Sequence, residues 1–140
     1  MRRNPCKLVT PPKVDTAPAA YRDEAQCHKL LDLLSQQNDF QFEVIINLFI
    51  ASGIRSGELS ALYWEDINLD TGMMFIRHTL VHVGGEYVRQ EPKTADSTRR
   101  IILPEYIISL LKKHKAKQAE QRFKMGGRYK NPDLVFTNRH

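Results

Sequence analysis

Cysteine is scarce in this sequence, with Cys6 and Cys27 alone among 140 residues. Neither has the spacing of a metal site, and without a secretion signal the pair reads as two reduced thiols, not a disulfide. Long apolar runs are missing as well. The longest, around Val44 to Ala51, falls far short of the ~20 residues that cross a bilayer, and Arg2-Arg3 is followed by no apolar signal core. No membrane partner and no secretory role are therefore expected. Internal repeats and low-complexity tracts are also absent. What remains is 41% hydrophobic and 26% charged, a balance that supports a folded core and argues against a disordered tail. The length suits one domain of ordinary size. A net charge of +5 suits a polyanionic partner, although an excess of this size is also what a solvated basic surface carries. The cations cluster at Arg99-Arg100 and at Lys112, Lys113, Lys115 and Lys117; the lysine run reads as a solvated helix face.

Residues 1–20 hold four of the seven prolines and no apolar period, so they read as an extended lead-in. Asp23 with Gln26 forms a capping pair, after which Cys27, Leu30, Leu31 and Leu34 recur at helical spacing. Asn38 with Gln41 repeats the start signal. Phe42, Ile45, Ile46, Phe49 and Ile50 then form the apolar stripe of a second, more deeply buried helix, with Gly53 as a left-handed terminator. A short third helix covers roughly Ser56 to Tyr63. The period next changes to extended: Met73 to Val83 and Glu86 to Glu91 flank the hairpin signal Gly84-Gly85, and Thr98 to Leu103 adds a third strand. Pro104-Glu105 opens a last helix, apolar at first and polar from Lys112 onward, which Gly126-Gly127 stops. Pro132 to Thr137 reads as one more extended piece. The expected fold class is α+β, mainly α, with helices around a small three-stranded antiparallel sheet.

The segment Ser52-Gly53-Ile54-Arg55-Ser56-Gly57-Glu58-Leu59 places an arginine at a glycine-flanked turn opening a helix. An arginine fork holds two phosphate oxygens at once, keeps its charge, and can stabilise charge that builds during phosphoryl transfer. Taken alone, Arg55 reads equally well as the local ion-pair partner of Glu58. The wider segment, with Leu62, Trp64, Asp66 and Ile67, resembles the first conserved box of the tyrosine recombinase (phage integrase) family, and nine positions match at fixed spacing. Pro92-Lys93-Thr94, Ser97, Arg99, Ile101 and Leu103 are similar to a second stretch of that family, in the place the family puts it.

The resemblance implies that Arg55 is the first of two arginines gripping a scissile phosphate in double-stranded DNA, with Glu58 as the acidic neighbour that fixes the site. It implies that Lys93 is the general acid protonating the departing 5′ oxygen. Thr94, Ser97 and Arg99 would be positioning contacts to the DNA backbone. No metal, no ATP and no small-molecule cofactor enter such a reaction, and an intracellular, cytoplasmic protein of bacterial or phage type is expected. The family also uses a His-x-x-Arg box and a tyrosine nucleophile. No His-x-x-Arg occurs here, and Tyr21, Tyr63, Tyr87, Tyr106 and Tyr129 all precede the nucleophile's place. The expectation is therefore an interdomain linker over 1–20 and the N-terminal part of a catalytic domain over 21–140, its C-terminal part absent, inactive alone. Self-association is expected too, because the stripe on the second helix is too wide for one small neighbour and Pro132 to Thr137 offers an unpaired edge. A different class of protein, a stand-alone basic DNA-binding regulatory module, would explain the net charge and the lysine run but not the two motifs.

Overall fold

The computed structural model describes residues 21, 23–37, 39–91 and 98–137. Residues 1–20, 22, 38, 92–97 and 138–140, and with them the expectations placed on the lead-in and on Lys93, Thr94 and Ser97, lie outside the described residues.

Helix α1 (Glu24–Ser35) opens on a reciprocal capping box, Gln26 N donating to Asp23 Oδ1 at 2.8 Å and Asp23 N to Gln26 Oε1 at 3.3 Å. Helix α2 (Phe40–Ser52) is capped by Asp39, whose carboxylate accepts from Phe42 N at 3.1 Å. Gly53 ends it at φ 59°, where its N–H reaches Phe49 O, and the left-handed conformation favours glycine there. The burial of α2 corrects the expected stripe. Val44 and Leu48 are its deepest apolar residues, packed towards helix α4 (Glu105–Met125). At 100° per residue, Phe42, Ile46 and Ile50 fall on the opposite side, and Phe42 and Ile50 stay 48% and 46% exposed, while Ile45 and Phe49 of the stripe do pack, partly buried, against the core. The helix is apolar almost all round, so its composition alone does not say which face is inside. Helix α1 packs on α2 with Leu34 buried but Leu30 and Leu33 exposed.

Met73 to Val83 is not one strand, a second correction. It breaks at Arg77-His78 into β2 (Met73–Ile76) and β3 (Thr79–Val83). β2 is the centre of a three-stranded antiparallel sheet between β1 (Ile67–Asn68) and β5 (Arg99–Ile102), in the order β1-β2-β5. β3 instead forms a separate hairpin with β4 (Glu86–Gln90), closed by Gly84 and Gly85 at φ 61° and 92°, the two positive values that a two-residue primed turn needs. The sheet thus has three strands as expected, but Ile67–Asn68 takes the place that the sequence reading gave to Glu86 to Glu91. At the break Arg77 pairs with the buried Asp66.

Met74, Ile76, Ile67, Leu103, Ile107, Leu111 and Leu59 close the core with Val44 and Leu48. The lysine run of the last helix is solvated as expected, with Lys112, Lys113, Lys115 and Lys117 all exposed, but the same half of the helix also has a buried side. His114 and Gln118 continue the buried line of Ile107 and Leu111 and hold the C-terminal segment: His114 Nε2 lies 2.7 Å from Val135 O, while Gln118 donates to Leu134 O at 2.9 Å and accepts from Trp64 Nε1 at 2.7 Å. That segment is paired within the molecule. Leu134 bridges Tyr63, Val135 N donates to Leu62 O at 3.0 Å and Trp64 N to Asp133 O at 2.9 Å, so its backbone is not the open edge expected.

Candidate nucleic-acid interface

Arg55 sits at the hinge between α2 and the one-turn helix α3 (Ser56–Ser60). Gly53 reverses the chain, Ile54 is buried as a plug, and Arg55 follows in extended conformation at φ −81°, ψ 153° as the N-cap of α3. Glu58, three residues on, accepts from Arg55 N at 2.9 Å and from its guanidinium Nη1 at 3.1 Å. The local ion pair that the spacing allowed is therefore real, yet the Arg55 side chain remains 77% exposed. Its main-chain N–H is engaged by Glu58, so the outward-facing donors belong to the guanidinium.

The stronger partner of Glu58 comes from 41 residues away. Arg99, at the start of β5, gives a fork of two bonds: Nη1 to Oε1 at 2.9 Å and Nη2 to Oε2 at 2.8 Å. The Arg99 hydrogen bond, opposed by burial and helped by the Arg55 N–H and guanidinium, holds the Glu58 carboxyl down at about 2. The same pairing raises Arg99. Arg99 thus stands beside Arg55, with both terminal nitrogens on a carboxylate.

A second buried carboxylate lies in the same segment. Asp66, 2% exposed, accepts from Tyr63 N at 3.1 Å and pairs with Arg77 at 2.7 Å and Arg89 at 3.6 Å. The Arg89 guanidinium also lies 3.9 Å from the centroid of the Tyr63 ring and 2.9 Å from His78 Nδ1. An arginine donates there, so that ring nitrogen accepts. The hairpin β3–β4 would be marginal by itself; Arg89 ties it to the body. Gly57 does so from the other side, since a Cβ there would meet Thr79 Oγ1 at 2.7 Å and Leu80 O at 2.9 Å. Pattern reading missed this cluster. The available signal was Arg77-His78, two polar residues interrupting an otherwise apolar run. Among the described residues no group of His, Cys, Asp or Glu could hold a metal ion, and no helix is long and apolar enough to cross a membrane.

No protein-family model matches the chain. Sequence relatives are nonetheless clear. A "Tyrosine recombinase XerC-like" protein of Caldanaerobacter subterraneus is 28% identical across 98% of this chain and 39% of its own length. The ICEBs1 integrase of Bacillus subtilis is 25% identical across 97% of this chain and 37% of its own. The chain therefore spans about two fifths of these relatives. In fold it is similar to the Tn1549 transposon integrase solved with transposon right end DNA, at a TM-score of 0.72, 22% identity, and coverage of 89% of this chain and 40% of that one. It also resembles the XerA recombinase, at a TM-score of 0.59 and 21% identity over 91% of this chain. The motifs around Arg55, the relatives and the fold point the same way: in sequence and in fold the chain is similar to tyrosine recombinases and integrases.

Proposed function

We propose that residues 21–140 form the phosphate-gripping, N-terminal part of the catalytic domain of a site-specific recombinase that cuts and rejoins double-stranded DNA through a 3′-phosphotyrosyl intermediate. The observation that supports this best is Arg55: its base is fixed by Glu58 while its side chain is 77% exposed. A guanidinium held that way is oriented for an anion before the anion arrives, and a DNA phosphate offers the pair of oxygens it fits.

In this reading Arg55 binds the scissile phosphate and stabilises the charge that grows on it as the bond breaks. Lys93 protonates the leaving 5′ oxygen, and Thr94 and Ser97 hold the flanking backbone. Glu58 supports the site from beneath. Attack by a tyrosine conserves the phosphodiester energy in the protein–DNA link, so neither metal nor ATP is called for. None of the five tyrosines is assigned as nucleophile. Tyr63 lies under the Arg89 guanidinium, and Tyr129 Oη is within 3.2 Å of Thr137 Oγ1. By itself the chain then binds DNA without cutting it. The same proposal includes self-association through the outer face of α2.

Fluorescence anisotropy with a duplex oligonucleotide tests the reading. Binding should be weak, nearly independent of sequence and steeply salt-dependent, because phosphate contacts act by counterion release. Arg55→Ala and Lys93→Ala should each weaken it, and a nicked suicide duplex should trap no covalent adduct. Tight binding at one site, unchanged in both variants, would instead favour a basic regulatory module. A phosphotyrosyl adduct would overturn the view of the tyrosines.

A further inference from the structure

A carboxylate offers about four lone-pair positions, and those of Glu58 are all taken. Oε1 accepts from Arg55 Nη1 and Arg99 Nη1; Oε2 accepts from Arg55 N and Arg99 Nη2. The sharing is unequal. Arg99 commits both terminal nitrogens and is 32% exposed, whereas Arg55 commits one and is 77% exposed. Sequence reasoning made Arg99 a DNA contact, but a guanidinium forked onto a carboxylate has few donors left to offer a phosphate.

We propose that Arg99 is a positioning residue: by occupying Glu58 in a fork, it keeps the Arg55 guanidinium from folding onto that carboxylate and leaves it free for a DNA phosphate. This rests on the reading of Arg55 as a phosphate ligand. Two effects carry it. The first is geometric, because an arginine already touching one carboxylate oxygen needs only a small rotation to form its own fork once the competing fork is gone. The second is charge. With Arg99 present the cluster of two arginines and one glutamate has a net charge of +1; without it the net charge is zero, and an approaching phosphate meets an Arg55 whose charge is already balanced by Glu58. Glu58 alone would therefore weaken the site that it supports. The pairing of β5 with β2 makes the arrangement dependable, since Ile76 opposite Arg99 brings the arginine to the edge of α3.

Double-mutant cycles on the 140-residue chain test this, read as the dissociation constant for a duplex oligonucleotide. Arg99→Gln should weaken binding on the order of tenfold, the scale of one direct coupling, and Arg99→Lys, which keeps the charge but not the fork, should recover part of the loss. In a Glu58→Gln background the further change Arg99→Gln should have little effect, because a neutral amide does not capture Arg55. An equal loss from Arg99→Gln in both backgrounds means that Arg99 touches the DNA directly and overturns the proposal. Thermal unfolding of each variant shows whether it is folded. Should Glu58→Gln fail to fold, the Arg55→Ala background replaces it: a positioning residue adds little once Arg55 is gone, while a direct contact keeps its full effect. If Arg55→Ala alone leaves binding unchanged, the phosphate-ligand reading itself has failed, an outcome separate from the result of the cycle.

Discussion

The Glu58 carboxylate makes a quantitative demand on how stability depends on acidity. Its folded value of about 2 lies below the ordinary 4.5, so the unfolded chain takes up a proton on Glu58 before the folded chain does. The sign follows: the stabilisation is fully present above the unfolded value and is lost as pH falls through the folded one. A shift of this size corresponds to about 3 kcal/mol, of which about 2 should disappear between about pH 6 and about pH 3. Glu58 is 7% exposed, so solvent screening does not erase the effect. In Glu58→Gln the group cannot titrate, and Arg99 retains one neutral acceptor in place of a charged fork. Urea unfolding of both proteins across this range should show the variant about 2–3 kcal/mol less stable at neutral pH, with the gap closing as the solution is acidified. A gap that stays constant down to pH 3 would refute the argument, because it would mean that the loss comes from packing and not from the charged pairing with Arg99.

Other sites offer independent checks. Gly57→Ala should destabilise by about 1–3 kcal/mol, since its Cβ would press on Leu80 O, a backbone atom that cannot swing aside; hydrogen exchange in β3 and β4 should quicken more than in α4. Asp66→Asn should cost about 3 kcal/mol by leaving the cations of Arg77 and Arg89 without their buried countercharge, measured as a lower urea midpoint. Gln118→Ala removes the acceptor of Trp64 Nε1 and the donor to Leu134 O, a loss of about 1–3 kcal/mol that the single tryptophan should report as a shifted emission maximum. The half-exposed outer face of α2, with Leu30 and Leu33 of α1, should drive association: several hundred Å² at about 25 cal/mol per Å² recovers on the order of 10 kcal/mol before entropic cost. Sedimentation at tens of micromolar showing a compact monomer, with no uptake of a hydrophobic dye, would sink that expectation.

The parts of this fold that the sequence made readable are those written in local spacing. Asp23 with Gln26, Gly53, the Gly84-Gly85 hairpin and the Arg55-Glu58 pair each depend on residues within a turn of one another, and the structure forms all of them. What went unread depends on long-range polar pairing. His114 and Gln118 occupy the buried line of α4 at the same helical spacing as Ile107 and Leu111, but a search for apolar residues passes over a histidine and a glutamine whose burial is made tolerable by carbonyls of a segment some twenty residues on. Arg77 and Arg89 likewise look like breaks in a β pattern until Asp66 is placed between them. The Arg99-Glu58 fork shows the reason most clearly. No helical spacing links residues 41 positions apart; the link is made by strand register, Ile76 against Arg99 and Phe75 against Arg100. Side chains alternate along a strand, so a slip of one residue would turn Arg99 away and present Arg100 to Glu58. The adjacent arginines are chemically identical, and only the register decides which one supports Arg55 and which, exposed on the other face of β5, faces solvent.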